Sequence, residues 1–203
     1  MSSRSTILVL AGVCAAISLL PQSAAAQSAQ KWSLQGSALA VVPGGTAYDG
    51  LASGFGIEAQ VRYTPSAFSL GGGYQASFHD LDLGDGTVET VTLAGGFLEP
   101  RYVIDVRSAR VAPYLSARLA VLTQTVTVEG FDLSATGTQI NGGGGILVRM
   151  GSRVNLDLGL TLGAIQFDDV QVRAGGETVV VTGSSGNGTN FVLRIGAAIG
   201  LGK

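Results

Sequence analysis

The sequence predicts an all-β protein: an eight-stranded antiparallel up-and-down transmembrane β-barrel that follows an N-terminal signal peptide. Apolar and polar residues alternate with a period of two along most of the chain, which is typical of strands with two different faces. Only 13% of the residues are charged, whereas soluble domains carry about 25%. Beyond the N-terminal segment, no apolar run reaches the length of about 18 residues expected of a membrane helix. A closed barrel, which satisfies its backbone hydrogen bonds between strands, is therefore the predicted membrane structure.

The first 26 residues are predicted to be a secretory signal peptide. Arg4 supplies the positive start, residues 7–20 form an apolar segment, and the small residues 24–26 provide a cleavage site. The apolar segment is shorter than the roughly 20 residues that a spanning helix needs. Residues 27–203 are therefore expected to form one exported barrel domain.

Eight strands are predicted, and the connections between them alternate in length. Short connections follow the second, fourth and sixth strands, so all of them fall at one end of the barrel, as periplasmic turns do in transmembrane barrels. The longer outer connections include 128–135 and 168–188, and residues 177–182 are expected to extend the last hairpin beyond the membrane. The predicted strands are 31–43, 54–64, 67–80, 87–104, 110–127, 136–149, 153–167 and 189–202.

The content of the two strand faces predicts which face is inside. One face carries branched and aromatic residues, and the other carries small and amide residues with a few charges. The interior of an eight-stranded barrel has room only for side chains, so the polar face is assigned to the lumen. Alternation alone also fits a soluble periplasmic barrel that binds a lipid, with its apolar residues inside. The charges assigned to the lumen are Glu58, Arg62, Glu99, Arg101, Arg118, Arg149, Asp157 and Arg194.

Aromatic residues on the apolar face are predicted to form girdles at both edges of the membrane. The intervals from Phe55 to Tyr63 and from Phe68 to Phe78 span roughly 20–25 Å along tilted strands, close to the height of a lipid-facing band. Trp32, Tyr63, Phe68 and Tyr102 are assigned to the periplasmic edge, and Phe55, Phe78 and Phe191 to the outer edge.

The lumen charges allow two interpretations. Charges in a narrow lumen must be paired or hydrated, and Glu99 and Arg118 are expected to lie diagonally across the hairpin of the fourth and fifth strands, with Arg101 and Asp157 at similar depth. The first interpretation is a structural polar plug. The second is a narrow pore that opens when salt-bridge partners exchange.

The sequence predicts no catalytic, metal or cofactor site. The single histidine, His79, is interpreted as an ordinary residue at a loop edge, because Asp80 faces the opposite way and no activated nucleophile is evident. One histidine and one cysteine cannot build a zinc site, and a net charge of −2 does not favour nucleic acid. We expect a non-enzymatic monomer in contact with outer-membrane lipid and lipopolysaccharide.

Two short segments, 99–102 (EPRY) and 112–114 (APY), resemble the fourth and fifth strands of the small eight-stranded outer-membrane barrels, which include the opacity-type proteins and the transmembrane domain of OmpA. The resemblance covers 27–203 as a pattern. It implies insertion by the barrel-assembly machinery of a bacterial outer membrane, and either a structural or surface-interaction role or a narrow channel or carrier for small or apolar solutes. The chain departs from the family in ending on LGK rather than on an aromatic residue.

Overall fold

The computed structural model describes residues 30–82, 84, 87–128, 130–174, 177–182 and 186–202, so the predicted signal peptide lies outside the described part of the chain. A 3₁₀ turn, Thr46–Tyr48, follows the first strand. No helix among the described residues has the length and apolar content needed to cross a bilayer. The strands are β1 (Trp32–Gly44), β2 (Gly54–Tyr63), β3 (Phe68–Asp82), β4 (Val88–Val103), β5 (Val111–Val128), β6 (Phe131–Arg149), β7 (Val154–Phe167), β8 (Val170–Ala174), β9 (Glu177–Val181) and β10 (Gly186–Leu201).

The predicted eight-stranded antiparallel barrel is confirmed. Strands β1 to β7 and β10 form the ring, each paired antiparallel with two neighbours within it, and the pairing of β5 with β6 completes the ring. The first and last strands close the barrel, with Trp32 opposite both Tyr63 and Leu201. Since a closed ring leaves no unpaired strand edge, the backbone groups in the membrane are satisfied within the protein.

The outer connection predicted over 128–135 is wrong, because β5 and β6 continue their ladder until Val128 stands opposite Phe131. Gly130 lies in the turn with a φ of 84°, a conformation that favours glycine. Next to the turn, the Thr127 hydroxyl donates a hydrogen bond of 2.8 Å to the Asp132 carboxylate. Val128 and Phe131, which face each other across the turn, are residue types that favour strands, and only the short turn between them is left from the predicted loop.

The hairpin of β8 and β9 also differs from the prediction. Residues 177–182 do not extend the last barrel hairpin, because β9 pairs with β8, and β8 pairs with β6 at Arg173 opposite Asp132. The hairpin of β7 and β10 has its own extension, up to Gly186 opposite Phe167. A strand pattern in a sequence does not specify the pairing partner, which explains the difference.

The outward face of the barrel is apolar. Phe55 and Ile57 are 69% and 63% exposed, and similar side chains cover the wall of every strand pair. Soluble proteins do not present contiguous apolar surfaces of this size, whereas lipid-facing walls do. All seven predicted girdle aromatics lie on this face. Two pairs of their rings meet between strands, with centroids 4.8 Å apart for Trp32 and Tyr63 and 5.7 Å apart for Phe55 and Phe78.

Candidate functional site in the barrel lumen

The lumen has two layers of different chemistry. On β4 the buried inward side chains are Val91, Leu93 and Phe97 in the outer half, then Glu99 and Arg101, with the apolar Val103 at the periplasmic end. The inward face is therefore mostly polar in the periplasmic half, as predicted, whereas the outer half combines an apolar row with buried polar side chains such as His79, Gln139 and Asn141. Because the inward row on each strand is set by alternation and not by polarity, the same row can change from apolar to charged along its length.

Seven of the eight predicted lumen charges meet in the periplasmic half. They come from five different strands, β2, β4, β5, β7 and β10, and each is at most 6% exposed. The eighth, Arg149, lies at the periplasmic end of β6, half-buried and opposite Asn155. We call the group of seven the charge cluster: Glu58, Arg62, Glu99, Arg101, Arg118, Asp157 and Arg194.

Glu99 is the centre of the charge cluster and is 0% exposed. Its Oε1 atom accepts from Arg62 Nη2 at 2.8 Å and from Arg101 Nε at 2.6 Å. Its Oε2 atom accepts from Arg118 Nε at 2.8 Å and from Arg194 Nη1 at 2.7 Å. One carboxylate thus joins four arginines from four strands, which ties opposite walls of the barrel together.

Asp157 provides a second centre on β7. Its Oδ2 atom accepts from Arg101 Nη1 at 2.8 Å and from Gln35 Nε2 at 2.7 Å, and its Oδ1 atom accepts from the Tyr114 hydroxyl at 2.6 Å. The Arg101 guanidinium carbon lies 4.4 Å from the centre of the Tyr114 ring. Tyr114 therefore supports the cluster both as a hydrogen-bond donor and as an aromatic surface for a cation.

Glu58 completes the charge cluster on β2. It accepts from Arg118 Nη1 at 2.7 Å, and Arg194 Nη1 lies 3.4 Å from its other oxygen. Arg118 Nη1 also donates to the Gln75 side chain at 2.7 Å, and its guanidinium carbon lies 4.0 Å from the Phe97 ring centre. Arg118 thus connects the charged layer to the apolar layer above it.

The outer half of the lumen contains an apolar cluster, which we call the outer core, beside buried polar side chains. Tyr48 reaches into it from the 3₁₀ turn after β1 and packs edge-on against Phe167, with ring centroids 5.8 Å apart. Burial raises the pKa of the Tyr48 phenol above its ordinary value. The outer core consists of Tyr48, Val91, Leu93, Phe97, Ala120, Leu122, Ile165 and Phe167.

His79 lies inside the barrel and not at a loop edge as interpreted from the sequence. It is 2% exposed, its Nδ1 atom is 3.0 Å from the Ala52 carbonyl oxygen, and its Nε2 atom is 3.1 Å from Ser77 Oγ. The difference arises because β3 continues to Asp82, so His79 keeps the inward phase of its strand.

The lumen cavities are small. One of about 40 Å³ lies at the periplasmic end beside Arg62 and Arg101, and one of about 20 Å³ lies between the charge cluster and the outer core, beside Gln75 and Asn141. A single water needs about 10–15 Å³ of such space, so these cavities admit only a few waters. Among the described residues there is also no group of His, Cys, Asp and Glu arranged to hold a metal ion.

Several residues of the lumen network were missed by reasoning on charges alone. Tyr114 and Gln35 bind Asp157, and Phe97 lies against Arg118. The available signal was the strand phase, because Tyr114 is in phase with Arg118 on β5, and Gln35 lies on the inward row of β1.

A closed antiparallel sheet with an apolar outer wall and an ion-paired interior defines a transmembrane β-barrel. Residues 12–197 match the family model described as outer membrane protein beta-barrel domain. The chain belongs to this family, and it is a protein of the bacterial outer membrane.

Solved structures of outer-membrane proteins share this fold. The crystal structure of Neisserial surface protein A (NspA) has a TM-score of 0.64 at 19% identity, covering 86% of this chain and 100% of that one. Outer membrane protein OprG from Pseudomonas aeruginosa has a TM-score of 0.57 at 11% identity, with 87% and 98% covered. Outer membrane protein AlkL, solved in lipid bilayers, has a TM-score of 0.51 at 16% identity, with 89% and 94% covered. No curated protein matches the chain.

Proposed function

We propose that this outer-membrane barrel is non-conducting and non-enzymatic, that its charge cluster is a structural plug, and that it acts through its outer surface and the surrounding lipid. The observation that carries the proposal is Glu99, 0% exposed and bound by four arginines. Removing one partner from a buried ion pair costs about 3–5 kcal/mol. A pore through this layer would require several such pairs to separate together.

The surroundings of His79 support a role without catalysis. A general base and its nucleophile must reach a substrate, but His79 and Ser77 are 2% and 5% exposed. The second ring nitrogen of His79 lies against the carbonyl oxygen of Ala52. The pair is enclosed by the barrel wall, which fits a structural hydrogen bond.

Planar-bilayer recording tests the plug. The wild-type barrel, shown to be folded by its heat-modifiable gel mobility, is expected to give no stepwise currents. Glu99→Ala alone is expected to stay silent, because the outer core still closes the other half of the lumen. Currents are expected only when Phe97→Ala is added, because the double variant removes both the carboxylate that holds four arginines and the ring above it. Glu177→Ala, on exposed β9, is the matched control and should stay silent. Discrete steps in the wild type that change in Glu99→Ala would instead establish the gated pore and contradict the proposal.

A second candidate function, binding or carriage of apolar solutes, is favoured by a cleft of about 160 Å³ at the outer mouth. The outer core closes the lumen on the periplasmic side of this cleft. A bound solute would therefore leave laterally into the membrane or return to the outside. We expect a fluorescent apolar amine to bind the wild type and to bind Leu133→Asp at least tenfold more weakly, with Val179→Asp on β9 as control. Equal binding by all three would exclude the cleft. Its lining includes Ala47, Val126, Leu133, Ala135, Phe167 and Val170.

A further inference from the structure

We infer that the periplasmic mouth of the lumen holds a binding site for one small inorganic anion of halide size, formed by Arg62 and Arg101. The inference goes beyond the proposed function and does not depend on it, because the site lies on the periplasmic side of the plug whether or not the barrel conducts.

The first support is the charge balance of the charge cluster. It contains four arginines, at positions 62, 101, 118 and 194, but only three carboxylates, at positions 58, 99 and 157. All seven side chains are almost fully buried. A buried charge without a counter-charge is costly, so the cluster favours one additional anion.

The second support comes from two buried guanidinium nitrogens. Arg62 Nε and Arg101 Nη2 have no hydrogen-bond partner among the described residues. Arg62 is 5% and Arg101 is 2% exposed, so bulk solvent does not satisfy these groups. Unsatisfied buried donors on charged groups are unfavourable, and both arginines line the same periplasmic cavity.

The third support is the character of that cavity. Around the two arginines its polar lining consists of neutral side chains, with hydroxyls from Ser33 and Ser69 and an amide from Asn155. No acidic residue is among the described side chains that line it. Its polar wall therefore combines two cations with hydroxyl and amide donors, which suits an anion and not a cation.

The size of the cavity restricts the ligand. About 40 Å³ corresponds to roughly three water-sized spheres. A chloride or bromide ion with one or two waters fits this space, whereas an organic anion such as gluconate does not. The residues at its rim, Gln30 and Thr64, precede β1 and follow β2, so an ion would enter from the periplasm.

Thermal unfolding of the barrel in detergent micelles tests the site. The midpoint of the heat-modifiable gel shift is measured in sodium chloride and in sodium gluconate at equal ionic strength. At chloride concentrations about ten times the dissociation constant, the wild-type midpoint is expected to rise by about 3–6 °C over gluconate. Equal midpoints in both salts would mean that water alone fills the cavity, and the inference would be wrong.

Two variants locate the effect. Arg62→Gln removes a cation from the cavity wall, and the chloride increment is expected to disappear. Arg110→Gln removes the same charge from an exposed residue at the periplasmic end, which neither lines the cavity nor belongs to the charge cluster, and the increment is expected to remain. An increment that survives in Arg62→Gln would place the chloride elsewhere and overturn the assignment.

Bromide anomalous diffraction from crystals of the wild type provides a measurement that does not require a variant to fold. The expected result is an anomalous peak within about 3.5 Å of guanidinium nitrogens of both Arg62 and Arg101. Bromide peaks confined to the protein surface would contradict the site.

Discussion

The charge cluster and the outer core fill two halves of the same barrel by different physics. The outer core holds eight apolar side chains through non-directional packing, which tolerates substitutions that keep shape and volume. The charge cluster depends on defined partners, because a buried charge that loses its partner is left unpaired. The two meet at Phe97, which packs in the outer core and lies 4.0 Å from the Arg118 guanidinium carbon. The periplasmic half is therefore expected to be intolerant of change, and the outer half adaptable.

The largest effect is expected from Glu99→Ala. Four arginines lose their shared carboxylate, and the free energy of unfolding should fall by about 5 kcal/mol. The free energy of unfolding is measured by urea titration in lipid vesicles, with the fluorescence of Trp32 as the signal. Glu177→Ala on β9 serves as the surface control, with an expected change below about 0.5 kcal/mol. A loss under about 1 kcal/mol for Glu99→Ala would show that the arginines are hydrated.

Phe167→Ala tests the outer core. Removing this ring, which is 4% exposed, is expected to cost about 3–4 kcal/mol. Conservative changes are expected to affect the two layers differently. Phe167→Leu should cost only about 1 kcal/mol, whereas Glu99→Gln should retain most of the loss of Glu99→Ala because it keeps the shape and removes the charge. Equal tolerance of the two conservative changes, in the same titration, would contradict the contrast between the layers.

Tyr114→Phe is expected to lower the free energy of unfolding by about 2 kcal/mol. The change removes only the hydroxyl, which donates to Asp157 at 2.6 Å and accepts from Arg194 at 3.0 Å. Tyr102→Phe, on the lipid-facing side of β4, is the matched control. Similar stabilities of the two variants would mean that the hydroxyl of Tyr114 adds nothing to the network.

The smallest effect is expected from Gly159→Ala, at about 1–2 kcal/mol. A Cβ atom at Gly159 would lie 2.6 Å from the Tyr114 hydroxyl and 3.0 Å from Arg194 Nη2, so the network would have to shift. A Cβ atom at Gly36, on the outward wall, would have no neighbouring atom within 4 Å, and Gly36→Ala should be neutral or slightly stabilising. The urea midpoint of unfolding is expected to be lower for Gly159→Ala than for Gly36→Ala, and the reverse order would contradict the prediction.

Sequence reasoning recovered the eight barrel strands because alternation identifies both a strand and its faces. It missed the outer core because polarity was used to choose the inside. On β4, Val91, Leu93 and Phe97 are in phase with Glu99 and therefore point inward, although each is apolar. The pairing of β8 with β6 was not predictable in this way, since alternation carries no information on partners.

The position of Arg194 links the charge cluster to the closure of the barrel. The cluster needs this residue of β10, and β10 is also the strand that seals the barrel against β1. Until the last strand arrives, Glu99 and Asp157 each lack one of their cations, and the seam remains open. Closure of the wall and completion of the hydrogen bonds around Glu99 and Asp157 therefore depend on the same strand, so a barrel without β10 lacks both.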